Sequence, residues 1–75
     1  MKAAHASLLL GNAARERRDD TIAFAMSVMS ADEALAFMNS ANAVLGGRPI
    51  DLVMASERGR RVVRAHLSVI SLSGT

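Results

Sequence analysis

His5 and His66 are the only imidazoles of the chain, and they lie at opposite ends of its 75 residues. General-base catalysis needs such a group beside a nucleophile or an orienting carboxylate. Neither histidine has one at a useful spacing. His66 also falls inside an apolar helical stripe, where a histidine bonded to backbone is the plainer reading. The carboxylates come as adjacent pairs, Asp19-Asp20 and Asp32-Glu33. Both pairs sit at expected helix starts, where the dipole favours acids, and neither has a third ligand in register for a metal. Gly46-Gly47 is too short for a phosphate or dinucleotide loop, and no strand precedes it. With no cysteine, disulfides and thiolate metal sites are excluded. The expectation is a protein that is not an enzyme and uses no cofactor or metal.

What remains is basic. Residues 1–40 hold four basic and five acidic side chains, whereas residues 41–75 hold five arginines against Asp51 and Glu57. Arg60 and Arg64 are four apart and share a helix face, with Arg61 beside them. Such a cluster can hold an acidic protein surface or phosphates; a solvated face is the commoner outcome for a charge run. Nucleic acid is the weaker candidate ligand, because there is no aromatic platform and no helix-turn-helix pair with a polar recognition face. A small basic helical nucleic-acid-binding regulator is therefore the second function class. Steep salt dependence would mark it.

Seventy-five residues allow one domain, close to the lower size limit for an unaided core. Apolar residues make up 51% of the chain, which is high for so small a domain and implies surface that a partner or second copy covers. No apolar run approaches the ~20 residues of a membrane span. Lys2 with the short Leu8-Leu9-Leu10 run does not make a convincing signal peptide. The expected location is cytoplasmic.

The elements that carry these residues read as an all-α fold, a single small bundle of about four to five short helices. Lys2 to Leu10 favours helix, and Gly11-Asn12 is a plausible stop; one bent helix and two pieces both fit residues 1–19. Asp19-Asp20-Thr21 is a capping cluster for the next helix. From Ile22 to Val28 the pattern suits strand and helix alike, and the alanines and methionines decide for helix. Ser30-Ala31-Asp32-Glu33 is a capping box. It opens a helix through Asn39 that buries Ala34, Leu35, Phe37 and Met38. Ser56 caps the last helix, in which Val62, Val63, His66, Leu67, Val69 and Ile70 form an apolar stripe. Arg58, Arg60, Arg61 and Arg64 take its other side, and residues 71–75 form a short polar tail.

Between these helices lies the stretch that organises the chain, Leu45-Gly46-Gly47-Arg48-Pro49-Ile50-Asp51-Leu52-Val53. The glycines permit positive φ or a close backbone approach. Pro49 suits the first turn of a helix and keeps Arg48 out of the α region. Followed by Glu57-Arg58-Gly59 and a Val/Leu/Ile-patterned helix, this stretch resembles the toxin-binding domain of the Xre/MbcA/ParS-type antitoxins. There a Trp-Leu helix leads through Pro-Asn into Leu-Gly-Gly-Arg, then Pro-Leu-Asp-Leu-Leu, and a glycine opens the last helix. Ala34-Leu35-Ala36-Phe37-Met38 stands at the Trp-Leu helix and Ala41-Asn42 at Pro-Asn. The resemblance covers roughly residues 20–73, making residues 20–75 the toxin-binding domain and residues 1–19 a helical segment or tail.

The resemblance implies an antitoxin of a bacterial type II pair. It would bind a RES-domain toxin that consumes NAD and occlude the entrance of its NAD pocket with the C-terminal part. Leu45, Gly46, Gly47, Pro49, Asp51, Leu52 and Gly59 would be its structural motif. Arg48, Arg60, Arg61, Arg64, Ser71, Leu72, Ser73, Gly74 and Thr75 are the candidate toxin contacts. A homodimer or a heteromeric complex with the toxin would follow. Such antitoxins usually carry a separate DNA-binding domain, and the residues before the match are too few to build one. DNA binding by this chain alone is therefore not expected.

Overall fold

Among the described residues the computed structural model has four helices: α1 (Lys2–Val28), α2 (Ala31–Asn39), α3 (Pro49–Ala55) and α4 (Glu57–Ser73). The structure describes residues 2–73, with side chains from residue 11 onward. Among the described residues there is no strand, and the fold is a small all-α domain. At 1.5 Å per residue α1 is about 40 Å long, and it sets the long axis of a 50 × 22 × 17 Å molecule.

The first helix corrects three expectations. It runs unbroken through Gly11-Asn12, so no stop occurs there, and through Asp19-Asp20-Thr21, which therefore cap no helix. The boundary drawn between residues 19 and 20 falls inside α1. Packing explains the continuity. Thr21 and Ala25 are fully buried, and the Thr21 hydroxyl is satisfied by donating to the Arg17 carbonyl one turn back, at 2.7 Å. Arg17 itself reaches across to α3, where Nε donates to Val53 O at 2.8 Å and a terminal nitrogen to Met54 O at 2.6 Å. Those carbonyls end a helix and have no intrahelical partner; a guanidinium there meets both the unpaired oxygens and the negative end of the dipole.

Local signals set the other boundaries. Ser30 Oγ accepts from Glu33 N at 3.2 Å while the Glu33 carboxylate accepts from Ser30 N at 3.3 Å, the expected capping box. Pro49 occupies the first turn of α3 and is buried. Ser56 Oγ accepts from Gly59 N at 2.9 Å and starts α4.

Ala25, Ala34, Met38, Val53, Val63 and Leu67 form the core, one or two residues from each helix. Leu35, expected inside, is 44% exposed, and of the α4 stripe only Val63 and Leu67 are fully buried. Ile70 and His66 are half-buried, while Val62 and Val69 face outward. The apolar stripe is therefore split, one half turned to the core and the other to solvent. No described helix is long and apolar enough to cross a membrane.

Candidate functional site

Residues 42–47 form a tight turn, and Asn42 holds it. Asn42 N donates to Gly47 O at 3.0 Å, and Asn42 O accepts from Gly46 N at 2.8 Å, so the turn closes as an isolated antiparallel bridge. Its side-chain Oδ1 accepts from Val44 N and Leu45 N at 3.0 and 3.2 Å. Gly46 has φ +82°, the single positive φ among the described residues, which no L side chain adopts cheaply. Gly47 has an ordinary backbone and open space around it, so of the two glycines only Gly46 is required by its conformation.

Arg48 and Asp51 pair across the first turn of α3 as a fork, Nε to Oδ2 at 2.9 Å and a terminal nitrogen to Oδ1 at 3.0 Å. The hydrogen bonds from Arg48 hold the Asp51 carboxyl below its ordinary range, and those same bonds raise Arg48. The pair is exposed, so its effect is to orient the guanidinium more than to stabilise the fold.

Among the described glycines, Gly59 lies closest to other backbone. A Cβ there would overlap the Leu52 carbonyl group, lying 2.6 Å from its carbon and 3.3 Å from Leu52 Cα. The first turn of α4 is thus seated directly on the backbone of α3. The seating opens an apolar cleft of about 230 Å³, lined by Leu45, Leu52, Ala55, Gly59 and Val62 with Arg58 at its edge.

The four arginines of α4 do not form one free face. Arg60 donates from Nε to both Glu57 oxygens at 2.8 and 3.0 Å and lies 3.7 Å from Asp20. These bonds lower the Glu57 carboxyl and raise Arg60. Arg64 pairs with Asp20 at 3.0 Å and stands over the Phe24 ring, 4.4 Å from its centroid. Arg60 and Arg64 therefore clamp α4 to α1, with Asp20 shared between them. Arg60 and Arg64, expected in a solvated or partner-facing cluster, are thus each ion-paired within the chain. Arg58 and Arg61 are exposed and make no hydrogen bond or ion pair among the described residues.

Glu16, Arg17, Asp20, Glu57 and Arg60 line a second, polar cleft of about 510 Å³ between α1 and the α3–α4 corner. Of its three carboxylates, Asp20 and Glu57 are matched by arginines, and Glu16 has no such match among the described residues. No group of three or more metal-binding side chains is placed to hold an ion among the described residues. His66 stacks on Phe37, with centroids 5.9 Å apart and planes 12° from parallel.

The expected tail is also revised. Ser71, Leu72 and Ser73 continue α4 as its last turn, with Ser71 half-buried and Leu72 79% exposed. Gly74 and Thr75 lie outside the described residues. Sequence reasoning put Asn42 in the turn, at the Pro-Asn position of the resemblance, but gave Arg17 no structural role. Asn42 had a visible signal, a polar residue favoured in turns four positions before a glycine; Arg17 had none. Comparison with protein-family models, with curated proteins and with solved structures finds no match.

Proposed function

We propose that this chain is an antitoxin-type toxin-binding domain that neutralises a RES-domain, NAD-consuming toxin by steric occlusion. The observation that supports this reading best is the seating of α4 on α3 at Gly59. That approach joins the two halves of the resembling stretch into one corner. Most other motif residues of that stretch also have a physical reason for their type, Gly47 excepted. Gly46 has positive φ, Pro49 starts α3, Asp51 holds Arg48, and Leu45 and Leu52 line the cleft beside the corner. The resemblance is thus carried by positions where few other residues would serve. Occlusion needs a shaped surface and no catalytic group, which suits a chain with so sparse a catalytic inventory.

Within this reading α4 is the contacting helix, and its arginines divide the labour. Arg60 and Arg64 set the helix on α1 and act by positioning. Arg61 remains available to a partner, as does the outward half of the apolar stripe. The accessible surface of 5000 Å² exceeds the ~4400 Å² of an average compact monomer of this mass, and Val62, Val69 and Met26 are among the large apolar side chains left exposed. The nucleic-acid alternative loses ground for the same reason, since two of the four arginines in its basic stripe are spent on Asp20 and Glu57.

Co-expression with a RES-domain toxin, taken from the neighbouring reading frame where one is encoded there, tests the proposal. The expected result is relief of toxicity together with a stable complex in size-exclusion light scattering. Toxicity unchanged, with the two proteins eluting apart, would overturn it.

A further inference from the structure

We propose that the cleft between the 42–47 turn, α3 and the start of α4 is a docking groove for an acidic protein segment that inserts an apolar side chain. The groove shares Val62 and the adjacent Arg61 with the contacting surface proposed above and deepens that reading, but a peptide titration tests it without any toxin. Its lining is mostly apolar, with Leu45, Leu52, Ala55 and Val62, and Gly59 is packed against the Leu52 backbone. At about 230 Å³ it falls below the roughly 300–1,000 Å³ of small-molecule sites, and suits one or two side chains of a docked segment. Val62, on its wall, is 44% exposed and uncovered by this chain.

Charge identifies the occupant. Arg58 lines the groove, and Arg61, one residue before Val62, extends the positive charge along α4. Neither has a hydrogen-bonding or ion-pairing partner among the described residues. The carboxylates of this region are already engaged, Asp51 by Arg48, Glu57 by Arg60, and Asp20 by Arg60 and Arg64. The chain therefore pairs its other arginines here and leaves Arg58 in the lining of an apolar cleft, with Arg61 about one turn further along α4. Arginine beside a desolvated apolar pocket is a common composition for a protein contact. A second copy docked groove to groove would bring like charges together at Arg58 and Arg61, which disfavours it. A partner with carboxylates flanking a leucine-like side chain satisfies both the floor and the rim.

The test is a titration of the isotope-labelled full chain, followed by backbone amide shifts. The probe is a synthetic peptide of alternating leucine and glutamate. Two counterparts accompany it, one with lysine for glutamate and one with alanine for leucine. The leucine–glutamate peptide should shift Leu45, Leu52, Gly59 and Val62 saturably, and each counterpart should bind at least about tenfold more weakly. The double variant R58E/R61E, which breaks no internal bond, should reverse the preference toward the lysine peptide. R58Q/R61Q should abolish the preference without reversing it, and serves if the charge reversal does not fold. Equal binding of all three peptides, shifts confined to other surfaces, or an unaltered preference in the variants would overturn the groove. So would association with anionic vesicles when no peptide binds.

Discussion

Replacing Gly59 by alanine separates a close helix contact from an ordinary helical glycine, because the two predict opposite signs. Alanine in place of glycine inside a helix normally stabilises by up to about 1 kcal/mol. At Gly59 the new Cβ would lie 2.6 Å from the Leu52 carbonyl carbon and 3.3 Å from its Cα, where carbon atoms prefer about 3.5–4.0 Å. The obstacle is backbone, so no side chain can swing aside. Relief requires α4 to rise from α3 by roughly an ångström. That movement unseats either Val53 or Val63 and Leu67, which belong to a core of six buried apolar residues. Overpacking of this kind costs about 1–3 kcal/mol, enough to outweigh the gain in propensity. The expected net loss is about 1–2 kcal/mol, or a Tm lowered by roughly 5–15 °C for a domain of this size. Gly11→Ala is the internal control. A Cβ there would meet only the end of the Arg15 side chain at 3.7 Å, so that variant should melt a few degrees higher. Thermal melts followed by far-UV circular dichroism decide the matter. A Gly59→Ala protein that gains stability as Gly11→Ala does would refute the seating of α4 on α3.

Other substitutions probe the turn and the first helix. Gly46→Val should cost more than about 1 kcal/mol because it forces a branched residue to positive φ, whereas Gly47→Val should cost much less; urea melts of both variants check the contrast. Arg17→Met keeps the aliphatic stem and removes two hydrogen bonds to the end of α3, so a loss of about 2 kcal/mol is expected in the same assay. If Arg17→Met is neutral, the segment before residue 20 is not part of the folded unit. Stability should also fall in acid. Hydrogen bonds from Ser30, Arg48 and Arg60 hold the carboxyls of Glu33, Asp51 and Glu57 below their ordinary values of 4.5, 3.8 and 4.5. A carboxyl depressed in the folded state contributes its full stability above the unfolded value, and loses it as pH falls through the folded one. Tm should therefore be level above about pH 5 and decline below it, with a shallower decline in Glu57→Gln. A Tm independent of acid would contradict these pairs.

Much of the fold could be read from short-range chemistry. The Ser30–Glu33 box, Pro49 at the start of α3 and Ser56 before α4 act within a few residues, and the structure has each of them where the sequence puts it. The failures are contacts between distant segments. Gly11-Asn12 and Asp19-Asp20 carry local signals for helix ends, but buried Thr21 and Ala25 and the reach of Arg17 to α3 carry the helix through. The i,i+4 spacing of Arg60 and Arg64 correctly placed them on one face. It could not disclose that Asp20, more than forty residues earlier, occupies that face. The same limit applies to the site. The pair Gly46-Gly47 was recognisable as a backbone requirement and Gly59 only as a motif position of the resemblance, whereas the division of the arginines into two clamped and two without an ion pair depends on which carboxylates fold nearby. The assignment to a toxin rests on the resemblance of residues 20–73, and the packing supplies reasons for its motif residues without naming a partner.

Inhibition of NAD turnover tests the central claim most directly. A purified RES-domain toxin, from the neighbouring frame where one is encoded there, would be titrated with this chain while NAD consumption is followed. Inhibition should be complete at a fixed molar ratio, as expected when one surface covers one pocket. Arg61→Gln should weaken that inhibition with little change in the chain's own Tm. NAD consumption that continues undiminished in a saturating excess of folded protein would contradict the antitoxin reading.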